Sequence, residues 1–450
     1  MLVVNGESTI SYLSSDENGE TTSFTLPTSV KWDFSNRKNR IEITVHNNDH
    51  RSRLIDLPMS MWNLTGYSVD DQLMTASGVY YLGDKYQFGE TFKQELKFSC
   101  NFFCLGSEDE VLDYIEFYIP NLIITFDKYN PIDKTEYTIL SLDFSGSTYA
   151  ISLVSQDERI NSPKVLLEKN EDAITVKITI SKVGVGITLN EAEQLLENLM
   201  NLISIIYGDA VIWSNAIGYK DKSIRIQKFV NRSNYVRLQP PRRLIRTDMP
   251  YYLSAYINEC FQSFVNLSDG EKKTLMKLSH GIQFSSSRLV FPYPIVVLGS
   301  ALEEYIDDVL PDLDKLYISK KDKRNLQSSL QEWVEKNLHP LLREDEKQDF
   351  VGSILSQKFT GFVQRNLKSR TTRLLEFYQV NFVQEQVNAF VKKRNDAAHG
   401  SYHYEGNIDY MLWSTIASYL EIILLKRIGY SGEYNDWTSS PPKYKPLPIG

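Results

Sequence analysis

Residues 391–400 read VKKRNDAAHG, and both the fold and the chemistry of the chain turn on how that stretch is read. Val383, Val387, Phe390 and Val391 stand at i, i+4, i+7 and i+8, the stripe that an amphipathic helix turns toward a core. The same rule carried forward lands on Arg394, Asn395 and Ala398. A guanidinium therefore replaces the next hydrophobe on a face that should be buried or in an interface. That is costly unless an anion or a carboxylate meets it. His399 follows five residues later, about 140° around at roughly 100° per residue, so one straight helix does not aim both groups at one point. They converge if the helix ends at Gly400, a residue suited to the position past a helix C-terminus, or if two copies of the helix meet across a two-fold axis. Asp396 lies three residues before His399, where a carboxylate can accept from one ring nitrogen and set the tautomer.

Almost everything from Pro250 onward reads as helix. The expected spans are 251–266, 270–281, 293–309, 322–338, 346–367, 376–398 and 407–428. The first part of the chain has the other period. RIEITVHN, KQELKFSCNFF, YTILSLDF, TYAISLVS and AITVKITISK are short, β-branched and mostly alternating, and polar clusters such as SSDENGE separate them. Many such strands at close spacing point to an all-β sandwich. One helix interrupts them: Thr188 and Glu191 form a capping-box signature, the apolar positions 195, 196, 199, 202, 203 and 206 share a face, and Gly208 stops it. It should pack over one sheet face. Between the halves, residues 220–246 hold nine Lys or Arg against one acid, Asp221, in a chain whose net charge is −8. Pro240–Pro241 marks a boundary there. The expected organisation is α+β: a sandwich-like domain over 1–218 with one packed helix, a basic connector over 219–249, and an all-α bundle over 250–450.

Composition narrows the class. At 450 residues with 42% hydrophobic and 24% charged residues, the chain fits an ordinary soluble protein of two or three domains. The three cysteines (Cys100, Cys104, Cys260) are odd in number and sparse, which points to a reducing cytoplasm and inert thiols. No basic-then-apolar leader opens the chain, and the apolar runs ASYLEIILL and LMNLISIIYG are short for a bilayer, so no membrane partner is expected. GVGITL (184–189) lacks the third Gly of a dinucleotide fingerprint. There is no Gly-x4-Gly-Lys-Ser/Thr, no Gly-x-Ser-x-Gly and no His-Glu-x-x-His, which argues against an NTPase, a serine hydrolase and a zinc protease.

RNDAAH (394–399) resembles the Arg-Asn-x-x-x-His signature of HEPN domains, helical bundles found in many prokaryotic RNases and defence proteins. VVLGSALEEYIDDVL (296–310) resembles the first core helix of such domains. A β-rich half followed by such a bundle is similar to the ApeA-like anti-phage proteins. The resemblance implies a metal-independent endoribonuclease with no cofactor, in which two bundles each supply an Arg and a His to one cleft, hence a homodimer or higher homo-oligomer. The RNA 2′-OH would attack the adjacent phosphorus and leave a 2′,3′-cyclic phosphate and a 5′-OH. His399 suits proton transfer and Arg394 suits two phosphate oxygens. Asn395 would orient the phosphate or brace the cleft, and Asp396 would orient His399. Glu303 is a candidate support for Arg394. His403, four residues after His399, is either a supporting imidazole or a plain surface residue. Anti-phage defence, a phage-derived trigger and a structured RNA with an accessible loop, such as a transfer RNA, follow from the same resemblance.

Other readings remain open on the residues alone. Arg394 could be a structural cation paired with Glu303 or Glu304, and His399 a helix-terminal residue favoured by the dipole. The domain could bind RNA or a protein without cutting. The acidic cluster Glu303, Glu304, Asp307, Asp308, Asp312 and Asp314 could hold metals for phosphodiester hydrolysis, although the spacing spreads it around the helix. For RNA binding, the stretch 220–246 offers Lys228, Arg232, Arg237, Arg242 and Arg243 interleaved with Phe229 and Tyr235. A second run, KFTGFVQRNLKSRTTR (358–373), offers Arg365, Lys368 and Arg370.

Overall fold

The computed structural model describes residues 2–13, 21–33, 40–47, 62–87, 93–156, 174–231, 242–286, 289–311, 315–343, 347, 359, 363–438 and 443–448. The chain divides into two compact units: Met1–Ser204 with Ala210–Arg237 and Thr247–Val265, and Ile205–Asp209 with Leu238–Arg246 and Asn266–Gly450.

The first unit is built on strands β1 (Leu2–Leu13), β2 (Thr21–Asp33), β3 (Arg40–Asn47), β4 (Trp62–Ser68), β5 (Leu73–Gln87), β6 (Lys93–Ser99) and β7 (Phe102–Leu105). There follow β8 (Tyr114–Pro120), β9 (Lys128–Asn130), β10 (Thr135–Phe144), β11 (Ser147–Ser155), β12 (Ile174–Lys182), β13 (Asn215–Lys220) and β14 (Ser223–Val230). Among the described residues these fourteen strands form one sheet, not the two facing sheets of a sandwich. The reason lies in β5, which is 15 residues long. Its first half pairs with β4 and β7 and its second half with β6, while β4 also pairs with β1. Six strands, β1-β2-β3-β6-β5-β4, therefore close on themselves, which removes the free edges that a sandwich keeps. Alternation fills the barrel: Ile41, Ile43 and Val45 of β3 and Leu96 and Phe98 of β6 are fully buried, with Phe103 and Phe229 in the same core. The rest of the sheet runs β7-β14-β13-β8-β12-β11-β10-β9.

Helix α1 (Leu189–Tyr207) starts where its capping box predicts, with the Thr188 backbone N–H donating to Glu191 at 3.0 Å and the Glu191 N–H donating to Thr188 Oγ1 at 3.3 Å. Lys182 of β12 donates to Glu191 at 2.9 Å, which ties the helix to the sheet. The start of the expected basic connector is not a linker. Residues 219–230 complete the β13–β14 hairpin inside the sheet, where Ile226 and Phe229, three residues apart and so on opposite faces, are both buried. Helix α2 (Tyr252–Val265) packs on β10, and its Tyr256 hydroxyl donates to the Leu202 carbonyl at 2.9 Å.

The second unit holds α3 (Asp269–Ser285), α4 (Tyr293–Val309), α5 (Lys320–Asn337), α6 (Leu367–Phe377), α7 (Gln384–Ala398) and α8 (Asn407–Arg427), with a terminal hairpin β15 (Glu433–Asp436) and β16 (Lys443–Pro446) that an all-α reading did not include. The chain is thus α+β. Most of the expected helix 346–367 lies outside the described residues. The expected helix 376–398 is replaced by two. The Asn366 side chain accepts from the Ser369 N–H at 2.9 Å and starts α6 early, and Gln379, at φ +51°, turns the chain out of it. Val383 is consequently the extended residue before α7 and is exposed, so the buried stripe comprises Val387, Phe390 and Val391. Helix α8 is long and apolar enough to cross a membrane by length and composition, and 78% of its apolar window is buried within the protein. Leu412 to Leu425 are buried on every side of it, which makes it the central helix of the bundle.

Candidate active site

The opening stretch forms the last turns of α7 and the corner after it. Helix α7 ends at Ala398, His399 is its C-cap, and Gly400 sits at φ +76°. A glycine takes that left-handed conformation without the steric cost that a Cβ brings, so the helix stops where the sequence indicates. The His399 N–H donates to the Asn395 carbonyl at 3.0 Å and the Ser401 N–H to the Asp396 carbonyl at 2.8 Å. The imidazole is exposed.

Arg394 leaves the apolar stripe and crosses α4 at Gly299, where an added Cβ would stand 2.7 Å from Arg394 Cγ. One turn further along α4, Glu303 Oε2 accepts from Arg394 Nη2 at 2.6 Å. The other oxygen of Glu303 accepts from Arg370 Nη2 of α6 at 3.3 Å, and Arg370 Nη1 donates to Asp307. Arg370 is 4% exposed, whereas the Arg394 side chain keeps 23% of its surface. Arg394 Nη1 also donates to Asn395 Oδ1 at 3.3 Å. The geometry therefore contains the pairing of Arg394 with Glu303 that the structural reading required, and it leaves part of the guanidinium open to solvent. Asn395 braces Arg394. For Asp396, among the described residues no hydrogen bond joins its carboxylate to the His399 ring.

The loop from His399 to Gly406 folds about two side chains that sequence reasoning missed. Lys393 Nζ donates to the His403 carbonyl at 2.8 Å and pairs with Asp409 at 3.1 Å and Glu405 at 3.3 Å. The buried Asp409 carboxylate accepts from the Tyr402 hydroxyl at 2.7 Å and from the Glu405 N–H at 2.8 Å. Burial alone would raise the Asp409 carboxyl. The Glu405 N–H, the Tyr402 hydroxyl and Lys393 together hold it below the ordinary carboxylate range. Burial likewise opposes charge on Lys393, yet Asp409 and Glu405 hold it above the usual lysine value. His403 is exposed and its backbone, not its ring, takes part in the clamp. The one signal for this clamp was Asp409, an acid in the first turn of a mostly apolar helix.

Residues 257–428 match the family model described as RiboL-PSP-HEPN. This stretch is a HEPN domain. No curated protein and no solved structure matches the chain. The HEPN domain spans part of α2 and runs through α8, so Arg394, His399, Glu303 and Arg370 all lie inside it.

Several cations expected on an RNA surface are elsewhere. Lys228 is paired with Glu108 at 3.0 Å and Glu193 at 2.9 Å and keeps only 12% of its side-chain surface. Arg242 is 5% exposed: it donates to both oxygens of Glu421, to Ser418 Oγ at 3.0 Å and to the Ser414 carbonyl at 3.3 Å, between the rings of Trp413 and Trp437. Arg370 is spent on Glu303 and Asp307. These three are corrected to structural cations, because burial and carboxylate partners remove them from any phosphate. Arg243 lies over the Tyr207 ring at 5.4 Å and Arg365 over the Tyr317 ring at 4.6 Å, both half-buried. Lys368 is exposed on α6. Arg232, Arg237 and Tyr235 lie outside the described residues, as do Asp312 and Asp314. The described acids of that cluster have partners: Glu303 and Asp307 hold arginines, Glu304 pairs with Lys277, and Asp308 accepts from Thr274 at 2.7 Å. All three cysteines are buried, and burial pushes their thiols well above the ordinary range, which leaves them unreactive.

Proposed function

We propose that this chain is a metal-independent endoribonuclease whose active site is the Arg394–His399 corner of α7. HEPN domains are generally ribonucleases or RNA-binding modules, and they commonly dimerise. The observation that carries the catalytic reading is the unequal treatment of the two arginines around Glu303. Arg370 is sealed in, while Arg394 is oriented by the same carboxylate yet keeps a solvent face, and five residues on an exposed histidine caps the same helix.

In the proposed reaction His399 takes the proton of the 2′-OH or gives one to the leaving oxygen. The bond from the 2′-oxygen to phosphorus forms, the bond to the 5′-oxygen breaks, and a 2′,3′-cyclic phosphate and a 5′-OH result. Arg394 stabilises the charge on the non-bridging oxygens. One imidazole performs one of the two proton transfers at a time, so a second copy of the domain would bring the other. Val290 and Tyr293 at the start of α4, and Tyr404, Ile408 and Met411 at the start of α8, are exposed hydrophobics that would supply apolar surface for that pairing. The substrate we favour is a structured RNA with an accessible loop, such as a transfer RNA, because a loop exposes the 2′-OH in a conformation free to attack. The setting we favour is the cytoplasm, in ApeA-like anti-phage defence released by a phage-derived trigger.

The test is incubation of purified protein and of His399→Ala with total bacterial RNA in excess EDTA, with and without extract from infected cells. Cleavage by the wild type alone, leaving cyclic phosphate ends, is the expected result. RNA binding that survives in both proteins, with cleavage by neither under any condition, would establish the non-catalytic RNA-binding reading instead.

A further inference from the structure

We infer that Arg370 is a positioning residue of this site. It shares the charge of Glu303, so that the carboxylate orients Arg394 without neutralising it. This deepens the ribonuclease reading and rests on it for its catalytic consequence.

The arrangement is a relay on one face of α4. Gly299, Glu303 and Asp307 are spaced i, i+4 and i+8 and so line up along the helix. Gly299 lets the Arg394 stem lie directly against the backbone, since a Cβ there would meet Cγ at 2.7 Å. Glu303 gives one oxygen to Arg394 at 2.6 Å and the other to Arg370 at 3.3 Å, and Arg370 reaches on to Asp307. An isolated Arg–Glu pair has no net charge, and a phosphate would have to compete with the carboxylate for the guanidinium. With a second, permanently buried guanidinium on the same carboxylate, part of the negative charge is drawn away from Arg394. The partner that balances Arg370, Asp307, lies at the far end of the relay, with 49% of its side-chain surface exposed to screening water. Arg394 is thereby left oriented by a short hydrogen bond and still attractive to an anion. The acid of the i+4 position is what a lone helix reading sees as a solvated face. The second arginine that changes its meaning comes from α6.

Charge sharing predicts opposite signs for neighbouring substitutions, which loosened packing does not. The measurement is the rate at which phenylglyoxal labels Arg394 in the full-length chain, followed by mass spectrometry. Labelling needs the uncharged guanidine, so a more negative surrounding slows it. Arg370→Gln should slow Arg394 labelling by at least about fivefold. Glu303→Gln should speed it by a comparable factor, and Asp307→Asn should speed it more weakly. Thermal unfolding confirms that each variant is folded. If Arg370→Gln does not fold, the Asp307→Asn result at the exposed end of the relay carries the decision. Labelling in Arg370→Gln equal to or faster than wild type, or in Asp307→Asn equal to or slower than wild type, would overturn the inference. RNA cleavage is read separately. In an active enzyme Arg370→Gln should lower kcat at least tenfold with KM little changed, and Glu303→Gln in the same chain should restore part of the loss. A wild type that cuts no RNA, with or without infected-cell extract, removes the ribonuclease reading and leaves the labelling result to decide the charge sharing.

Discussion

Arg242 and Arg394 make an instructive pair. Each guanidinium belongs to the helical unit and each is met by a glutamate on a core helix, Glu421 of α8 and Glu303 of α4. Arg242 is closed on every side, stacked between Trp413 and Trp437 and bonded to Glu421, Ser414 and Ser418. Arg394 shares its carboxylate with Arg370 and keeps one face in water. The difference separates an arginine that holds the fold from one placed to act. A buried cation with all its donors used has no capacity left for a ligand. A cation with one bond to a carboxylate and one to an amide still has donors to give.

The largest effect that would sharpen the contrast is on stability. Glu421→Ala leaves the buried Arg242 guanidinium without its counter-ion, and burial already pushes the Glu421 carboxyl up against the opposing pull of Arg242. Removing one partner of such a pair costs about 3–5 kcal/mol. Arg394→Ala removes a partly exposed cation and leaves Glu303 its bond to Arg370, and an ion pair of that exposed kind is worth roughly 0.2–1 kcal/mol. Chemical denaturation of both variants should therefore show a marked loss for Glu421→Ala and a small one for Arg394→Ala. Equal losses would show that Arg394 is a structural cation like Arg242, which would remove the main support for the catalytic reading.

A middle-sized effect concerns the corner that carries His399. The Asp409 carboxyl is held below its ordinary value, so the stability it contributes is fully present above the unfolded carboxylate value, about 4. That contribution is lost as pH falls through the lower folded value. Lys393 is held above its ordinary value, so its contribution is present below about 10.4 and lost as pH rises through the folded value. Between those limits the clamp is intact. Amide exchange at Glu405, whose N–H donates to Asp409, should stay protected at neutral pH and lose protection in acid. Asp409→Asn should show the loss already at neutral pH. Protection that ignores both the acid and the substitution would mean that the loop is held by something other than this carboxylate.

How much of this was legible beforehand depends on whether the partner lay on the same element. The end of α7 was legible, because Gly400 and the stripe that Arg394 interrupts are local. The span of α4 and the capping box of α1 were legible for the same reason. The break between α6 and α7 was not, because it depends on Gln379 taking a positive φ and on Asn366 capping a helix in a stretch that reads as a basic surface run. Closure of the barrel was hidden too, since alternating strands suit a sandwich as well as a barrel and only the divided pairing of β5 decides between them. The charge runs misled most. Nine cations in a row of residues look like one surface, yet Lys228 belongs to the sheet and Arg242 to the heart of α8, because sequence neighbours in different elements meet different partners.

The smallest effect tests what remains of the basic surface. Among the α6 cations, Arg370 is sealed against α4 while Lys368 is exposed two residues earlier. The helix itself thus separates the two roles: one cation sets a carboxylate and the other faces solvent on a different side. If Lys368 touches a phosphate, Lys368→Ala should weaken RNA binding uniformly across sequences and reduce the slope of log affinity against log salt by about 0.7 for a single strand. The rate of cleavage at saturating RNA should not change, since the contact is made equally before and during reaction. Arg370→Gln should do the reverse, leaving the salt slope alone and lowering the rate. A salt slope that falls in Arg370→Gln would place that arginine on the RNA after all, because a side chain closed on two carboxylates has no means of releasing a counter-ion from a phosphate.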